Sequence, residues 1–361
     1  MIIYVSMLVV VFIGFCLQKM VVDVRGHKTR AAKFLVFLTF GYIIFWAGIR
    51  DRFIDTASYI VQFKTCQWND LKGLEFSFDD GWGFKVLMIF FKTFISENYH
   101  AWLMFIAIVS GTCVAYIFWR YSQNYYYTLF LFITLLGFTW MMNGIRQFLA
   151  ATIIFACTPW IEEKKSVRYC LVVLLCATIH PTCIIMLLIY FIVRGEAWSR
   201  KTLLFIALTL IIIFFTAKFT NIMDAMLQET KWANVTQEFA NDDGVNPLRV
   251  LVFSVPVFLA FIGRKRLKRE DLIIHIFINM SILTVCLYAI GMVTTGILVG
   301  RLPIYIEFYG YIILPSIIEK CFTRKSQKLL YGMSIVCYLF YFYLMTRGMY
   351  YSSELTGIIW C

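Results

Sequence analysis

LIIHIFINMSILTVCLYAIGMV, residues Leu272–Val293, is the stretch that decides the class of this chain. At about 1.5 Å of rise per residue, a helix of this length crosses the roughly 30 Å of hydrocarbon in a bilayer. Comparable apolar stretches recur along nearly the whole sequence, among them Ile2 to Leu17 and Trp102 to Trp119. Others, such as Phe34 to Ile49 and Thr202 to Ala217, sit at the short end of what spans. Of the 361 residues, 61% are hydrophobic and only 15% charged, more apolar surface than a soluble domain of this length can bury. The composition predicts an all-α, polytopic integral membrane protein, a single transmembrane domain over residues 1–361 with about 10–12 spanning helices and no large soluble domain.

The first apolar stretch lacks a basic leader and a small-residue cleavage site, so it reads as a retained helix rather than a signal peptide. The 11 cysteines contain no C-x-x-C pair and lie mostly within apolar runs, as at Cys113, Cys157, Cys176 and Cys286, where a thiol is a small hydrophobe. Neither a metal site nor a disulfide framework is expected. The net charge of +12 invites a nucleic-acid reading, but the charges fall between apolar runs. Basic clusters at Lys19 to Lys33, Lys164 to Arg168, Arg194 to Lys201, Arg264 to Arg269 and Lys320 to Lys328 are placed on the cytoplasmic side.

That placement divides the Lys and Arg residues roughly 21 inside to 12 outside and the acidic residues 7 to 14, with both termini outward. It requires the stretch Tyr169 to Val193 to enter and leave on one side, or one neighbouring span to be miscounted. His180-Pro181 stands at its middle, and proline removes a backbone donor and disfavours helix in the residue before it. A broken or re-entrant helix near His180 is therefore expected, and such backbone at membrane depth must line a cavity or be buried in protein. The outward segments 50–100 and 218–247 are long enough to form a lid or rim. Within the first, Trp82 to Ile95 carries Lys85 and Lys92 on one helical face, as in a helix lying in the interface, the alternative being an eleventh span.

Ionisable groups in or beside lipid are costly, so four sites ask for an explanation. Arg50-Asp51-Arg52-Phe53-Ile54-Asp55-Thr56-Ala57-Ser58-Tyr59 begins where the second span ends, and Asp55 and Tyr59 share a face if it is helical. Asn143-Gly144-Ile145-Arg146-Gln147 joins two apolar runs, with Asn143, Arg146 and Gln147 on one helical face. His180 is a lone histidine in an apolar stretch. Arg301 opens a stretch through Leu302-Pro303 with Tyr305 one turn on and Glu307 close by. The plain alternatives are a solvated helix end, a turn, a satisfied buried imidazole and a rim arginine snorkelling to lipid phosphate. A phosphate-binding P-loop, G-x-G-x-x-G, H-E-x-x-H and D-x-D are all missing, which argues against an ATP-driven pump and a soluble-type sugar-nucleotide transferase.

Taken in order, these stretches resemble the EpsG family within the broader Wzy-type polysaccharide polymerases. The matching residues are Arg50…Asp55-Thr56…Tyr59, Asn143-Gly144-Ile145-Arg146-Gln147-Phe148-Leu149-Ala150, His180-Pro181-Thr182 and Arg301 to Tyr305. The family more often shows glycine just before the Asp-Thr pair and serine two residues after the histidine, where this chain has Ile54 and Thr182. The resemblance implies a multi-pass enzyme of the bacterial cytoplasmic membrane with a glycosyltransferase-C-like bundle. It implies polymerisation, at the outer face, of polyprenyl-pyrophosphate-linked oligosaccharide repeat units into O-antigen, capsule or exopolysaccharide. Donor and acceptor are then the partners, with the bilayer, a chain-length regulator and a flippase, and with no nucleic acid, cofactor or metal.

On that resemblance Arg50, Arg146 and Arg301 are candidate pyrophosphate ligands, because a guanidinium fork holds phosphate oxygens bidentately. His180 and Asp55 are the two candidates for the base that deprotonates the acceptor hydroxyl. Asn143, Gln147, Tyr59 and Tyr305 are candidate substrate contacts. The competing readings are an O-antigen-ligase-like transferase, a flippase or transporter of the lipid-linked intermediate, and a membrane acyltransferase. An inverted repeat expected of a transporter is not visible. Reporter fusions test the charge-derived topology: a fusion at Asn234 is expected outside the membrane and one at Lys265 inside, and a swapped result overturns it.

Overall fold

A computed structural model describes residues 2–21, 30–74, 81–215, 244–294, 296 and 299–360. Most of the segment 218–247, read above as a lid or rim, lies outside the described residues. Helix dominates because a chain this apolar has few partners for its backbone other than itself. In order the helices are α1 (Ile2–Val21), α2 (Arg30–Gly48), α3 (Thr56–Thr65), α4 (Trp82–Phe94), α5 (Tyr99–Tyr121), α6 (Tyr125–Thr134), α7 (Gly137–Trp140), α8 (Ile145–Ala156), α9 (Thr158–Glu162) and α10 (Ser166–Ile179). They continue with α11 (Ile185–Val193), α12 (Arg200–Phe214), α13 (Pro247–Ile262), α14 (Arg264–Leu267), α15 (Leu272–Val293), α16 (Phe308–Cys321) and α17 (Arg324–Thr346). Asparagine opens three of them: Asn98, Asn124 and Asn246 accept from the backbone N–H of His100, Tyr127 and Leu248, at 2.8, 3.1 and 2.9 Å.

The fold is all-α with apolar helices of membrane length. Among the described residues α5, α15 and α17 are each long and apolar enough to span, and Val299–Tyr305 with α16 forms a further pair bent by 60°. Seven shorter apolar helices of 10–17 residues accompany them. α4, with 13 residues, reaches only about 20 Å and is too short for the eleventh span considered above. Where sequence reading started a span at Arg301, residues Val299–Tyr305 form a 3-10 turn around Pro303 and the α-helix begins at Phe308. The break at His180 is present: α10 ends at Ile179, Pro181–Ile184 is a 3-10 turn, and α11 starts at Ile185.

Contacts gather the chain into two units. Unit 1 is Met1–Pro159, Val167–Cys183 and Ile335–Cys361. In it α2 packs on α5, α5 on α8, and α1 on α2 and α6. A small aromatic core joins α3, α4, α5 and the start of α8: Trp102 is fully buried, stacks on Phe63 at 5.9 Å between ring centroids, and meets Phe84 and Phe91 at 5.5 and 5.3 Å. A C-terminal hairpin, β1 (Tyr351–Ser353) with antiparallel β2 (Ile358–Trp360), completes this unit.

Unit 2 is Trp160–Ser166 and Ile184–Ser334, and α15 is its axis, in contact with α11, α12, α13, α16 and the 3-10 turn. Ser281 and Thr284 on this helix donate back to the carbonyls of Phe277 and Met280, which satisfies hydroxyls that have no water to meet. Large apolar side chains such as Phe37 on α2 and Leu204 and Phe214 on α12 are exposed, the surface that lipid covers.

Candidate functional site

The residues singled out in unit 1 converge where its helices are interrupted. α2 ends at Gly48, and Arg50 then turns its side chain inward, 0% exposed. Its Nη1 donates to the carbonyl of Ala47, one of the last carbonyls of α2, and its Nε donates to Thr56 Oγ1 at 3.0 Å. Thr56 Oγ1 lies 2.7 Å from the Phe53 carbonyl and 3.3 Å from that of Met142, so one hydroxyl ties the loop to the segment before α8. Burial pushes the Arg50 guanidinium down to about 10, with Tyr351, Asp55 and Tyr59 pulling the other way, and it stays charged at neutral pH. Its Nη2 is buried without a hydrogen-bond partner among the described residues.

The C-terminal hairpin holds this loop. Asp51 N–H donates to the Ser352 carbonyl at 2.8 Å, and Ser352 N–H donates to that of Arg52 at 3.1 Å. Ser353 Oγ donates to the Ile49 carbonyl and Tyr351 OH to that of Trp46, both at 2.7 Å. The Asp51 carboxylate accepts from Tyr99 OH and from Glu354 N–H, each at 2.6 Å, and stands 2.9 Å from His100 Nε2. Sequence reading missed this clamp, because the hairpin's short strands carry too few residues for an alternation to show.

Asp55 stands at the N-cap position of α3, and its Oδ2 accepts from the Gly144 N–H at 3.1 Å. Gly144 adopts φ +65° and starts α8, a conformation that costs other residues about 1–2 kcal/mol. That turn changes one expectation: α8 begins at Ile145, so Asn143 sits in the turn before it and does not share a helical face with Arg146 and Gln147. Tyr59, on α3, is 8% exposed and packs edge-on against Phe84 in the aromatic core.

Arg146 lies in the first turn of α8 and is half-buried. A Cβ added to Gly81 would stand 3.4 Å from its Nη1 and 2.6 Å from the Ile179 carbonyl, and one added to Gly83 would stand 2.2 Å from Thr178 Oγ1. The Gly81-Trp82-Gly83 entry of α4 thus packs against both Arg146 and the end of α10. A pocket of about 310 Å³ opens here, lined by Gln62, Asp70, Gly81, Lys85 and Arg146 among others. Lys85 joins the pocket, whereas Lys92 donates to the carbonyls of Lys64 and Cys66 at 2.7 and 2.8 Å. The seven-residue spacing of the two lysines does not reveal that difference.

Next to Arg146, Gln147 Nε2 donates to Thr182 Oγ1 at 3.4 Å, and Thr182 Oγ1 lies 2.9 Å from His180 Nδ1. The broken helix therefore presents its histidine with one ring nitrogen held by a hydroxyl two residues on. In unit 2, Arg301 is half-buried on the 3-10 turn and Tyr305 is buried. Glu307 follows at 1% exposure, accepting from Tyr288 OH at 2.5 Å, and Arg249 lies over the Tyr288 ring at 5.7 Å. No group of three or more His, Cys, Asp or Glu side chains able to hold a metal occurs among the described residues.

The EpsG family model matches residues 33–356, a match that takes in all of these positions. The chain belongs to the EpsG family. Membership supports a polysaccharide-polymerase or glycosyltransferase-like role for this membrane protein. No curated protein and no solved structure matches the chain.

Both departures from the EpsG pattern acquire a physical reading. Thr182 supplies through its Oγ1 the hydroxyl that serine would bring to the histidine. Ile54 stands at φ +44°, a conformation that suits glycine and strains a β-branched residue by about 1–3 kcal/mol. It is 64% exposed and has little packing to lose. Ile54→Gly is therefore expected to raise the melting temperature of the purified protein in detergent, even though glycine adds chain entropy to the unfolded state. Ile54→Val, which keeps the strain, is expected to leave it unchanged. A lower melting temperature for Ile54→Gly contradicts the strain reading.

Proposed function

We propose that this chain is a membrane glycosyltransferase that polymerises polyprenyl-pyrophosphate-linked oligosaccharide repeat units into a surface polysaccharide at the outer face of the bacterial cytoplasmic membrane. The observation that carries the reading is that the first turn of α8 supplies both Arg146, which lines the pocket, and Gln147, which starts the Gln147–Thr182–His180 chain after α10, in a member of the EpsG family.

The reaction divides between two kinds of group. The acceptor hydroxyl attacks the anomeric carbon of the donor, the bond from that carbon to the pyrophosphate oxygen breaks, and the pyrophosphate leaves with the electron pair. Arg146 faces the leaving group and neutralises charge as it develops, with Lys85 as a second cation on the same pocket wall. His180 takes the acceptor proton. With Nδ1–H donating to Thr182, the basic nitrogen is Nε2, and Gln147 holds the Thr182 hydroxyl in place.

Asp55 acts as a positioning residue, since its Oδ2 holds the N–H that starts α8 and so sets the aim of Arg146. Arg50, fully enclosed, supports the same loop and adds a fixed positive charge behind it. Arg301, in unit 2, is assigned a phosphate oxygen of a lipid-linked unit on the family pattern. Tyr59 and Tyr305, both buried, pack within their own units rather than stack on sugar, and Asn143 is assigned a polar contact from its turn.

Deletion of the gene is expected to leave single repeat units at the cell surface and no long chains; repeat units retained inside the cell would instead indicate a flippase. Arg146→Ala, Arg301→Ala and His180→Ala should each abolish polymer while the protein remains inserted, by 10²-fold or more in rate for the base. A finer test separates the hydroxyl from mere packing. Thr182→Ser should polymerise normally and Thr182→Val about 10-fold more slowly, the value of one hydrogen bond. Equal rates for the two variants would remove Thr182 from the mechanism.

A further inference from the structure

Unit 2 contains a second pocket of about 310 Å³, and its walls differ in kind from the first. Arg264, Lys265 and Lys268 line it on one side, around the short helix α14, and Glu196, Trp198 and His275 complete it. Three cations thus face one carboxylate. Arg264 Nη1 donates to the Phe261 carbonyl at 3.1 Å, and two neighbouring basic residues are engaged elsewhere, Lys320 with Glu270 and Arg266 with the Cys321 carbonyl. Lys265 and Lys268 have no ion-pair partner among the described residues.

A basic cluster at the cytoplasmic end of a helix needs only its charges to serve topology. This pocket has more construction than that. The loop between α11 and α12 is pinned by two buried polar side chains from the first turns of α15, His275 and Asn279. Asn279 Nδ2 donates to the carbonyls of Val193 and Gly195 at 2.9 and 3.2 Å, and its Oδ1 accepts from Thr202 Oγ1 at 3.1 Å. His275 Nδ1 accepts from the Ala197 N–H at 3.1 Å, so the neutral ring carries its proton on Nε2 and offers a donor from the pocket wall.

The pinned loop holds Trp198 at φ +63°, a conformation that an aromatic residue keeps only where its surroundings over-determine it. Phe261 touches both walls: its ring meets Trp198 edge-on at 5.1 Å, and the Arg264 guanidinium lies over it at 4.3 Å. Trp198 Nε1–H is buried and has no hydrogen-bond partner among the described residues. A buried indole N–H without a partner, in a pocket also lined by three cations, suits an anion.

We propose that this pocket binds a phosphate-bearing anion, either the phosphate of an anionic phospholipid head group or a soluble pyrophosphate. Lys265, Lys268 and Arg264 supply the charge, while Trp198 Nε1–H and His275 Nε2–H supply directed donors. The head group is a natural occupant because the pocket belongs to the basic clusters read as cytoplasmic, where anionic lipid gathers. The inference stands independently of the polymerase reading.

The test uses the full-length protein in nanodiscs. One arm titrates inorganic pyrophosphate into protein in phosphatidylcholine discs by calorimetry. The other measures, by native mass spectrometry, retention of phosphatidylglycerol from discs containing a quarter of that lipid. Binding in the first arm identifies a soluble phosphate, and binding only in the second a head group; either supports the proposal, and binding in neither overturns it. The Arg264→Gln, Lys268→Gln double variant should weaken the observed binding at least 10-fold. A Lys325→Gln, Lys328→Gln control, which removes equal charge from exposed positions of α17, should not. Equal losses in variant and control would reduce the effect to general charge and overturn the proposal. Should the double variant fail to insert, Trp198→Phe, which removes only the indole donor, should weaken binding several-fold, and unchanged binding there counts against the site.

Discussion

A backbone carbonyl or N–H freed where a helix ends needs a new partner, and the structure provides one at several of its breaks. Three of them are answered by a polar side chain. Arg50 takes up the Ala47 carbonyl at the end of α2, Asp55 takes the Gly144 N–H that begins α8, and Asn279 takes the carbonyls of Val193 and Gly195 after α11. A polar residue in such a chain therefore has two possible reasons to exist, the chemistry of a substrate and the completion of a broken helix. In the proposed mechanism the residues of unit 1 serve both, because the breaks are also where backbone irregularity can line a cavity.

This double duty explains the division of labour among the arginines. Sequence reading treats Arg50 and Arg146 alike, as cations at the outward ends of spans. Their surroundings separate them: Arg50 is sealed behind the hairpin and hydrogen-bonded to the ends of α2 and α3, whereas Arg146 borders a pocket. The difference arises from residues far along the chain, Tyr351 to Glu354, whose pairing with the 49–52 loop depends on tertiary packing that no local pattern encodes.

The all-α membrane class, the break at His180 and the list of polar residues were legible in the sequence because each follows from run length, proline chemistry or the cost of charge in lipid. The helix boundaries were less so. The start of α8 moved past Asn143 because Gly144 takes a left-handed conformation, a choice glycine permits and does not dictate. The approach of α4 to α10 was similarly hidden: Gly81 and Gly83 matter for the atoms they leave room for, Ile179 O and Thr178 Oγ1, and those lie almost a hundred residues away.

In the proposed mechanism the choice of base also turns on commitments that only the fold reveals. On the sequence Asp55 is favoured by access and His180 by intrinsic chemistry, with the preference going to His180. In the folded chain the Asp55 Oδ2 is occupied by the N–H on which α8 depends, so moving it to meet a substrate proton would release the first turn that carries Arg146 and Gln147. His180 is constrained in the opposite sense. Its Nδ1 lies against Thr182 Oγ1, itself held by Gln147 from that same turn, which orients the ring. The Asp55–Gly144 contact and the Gln147–Thr182–His180 chain thus belong to one arrangement, in which the carboxylate sets the helix and the helix sets the histidine.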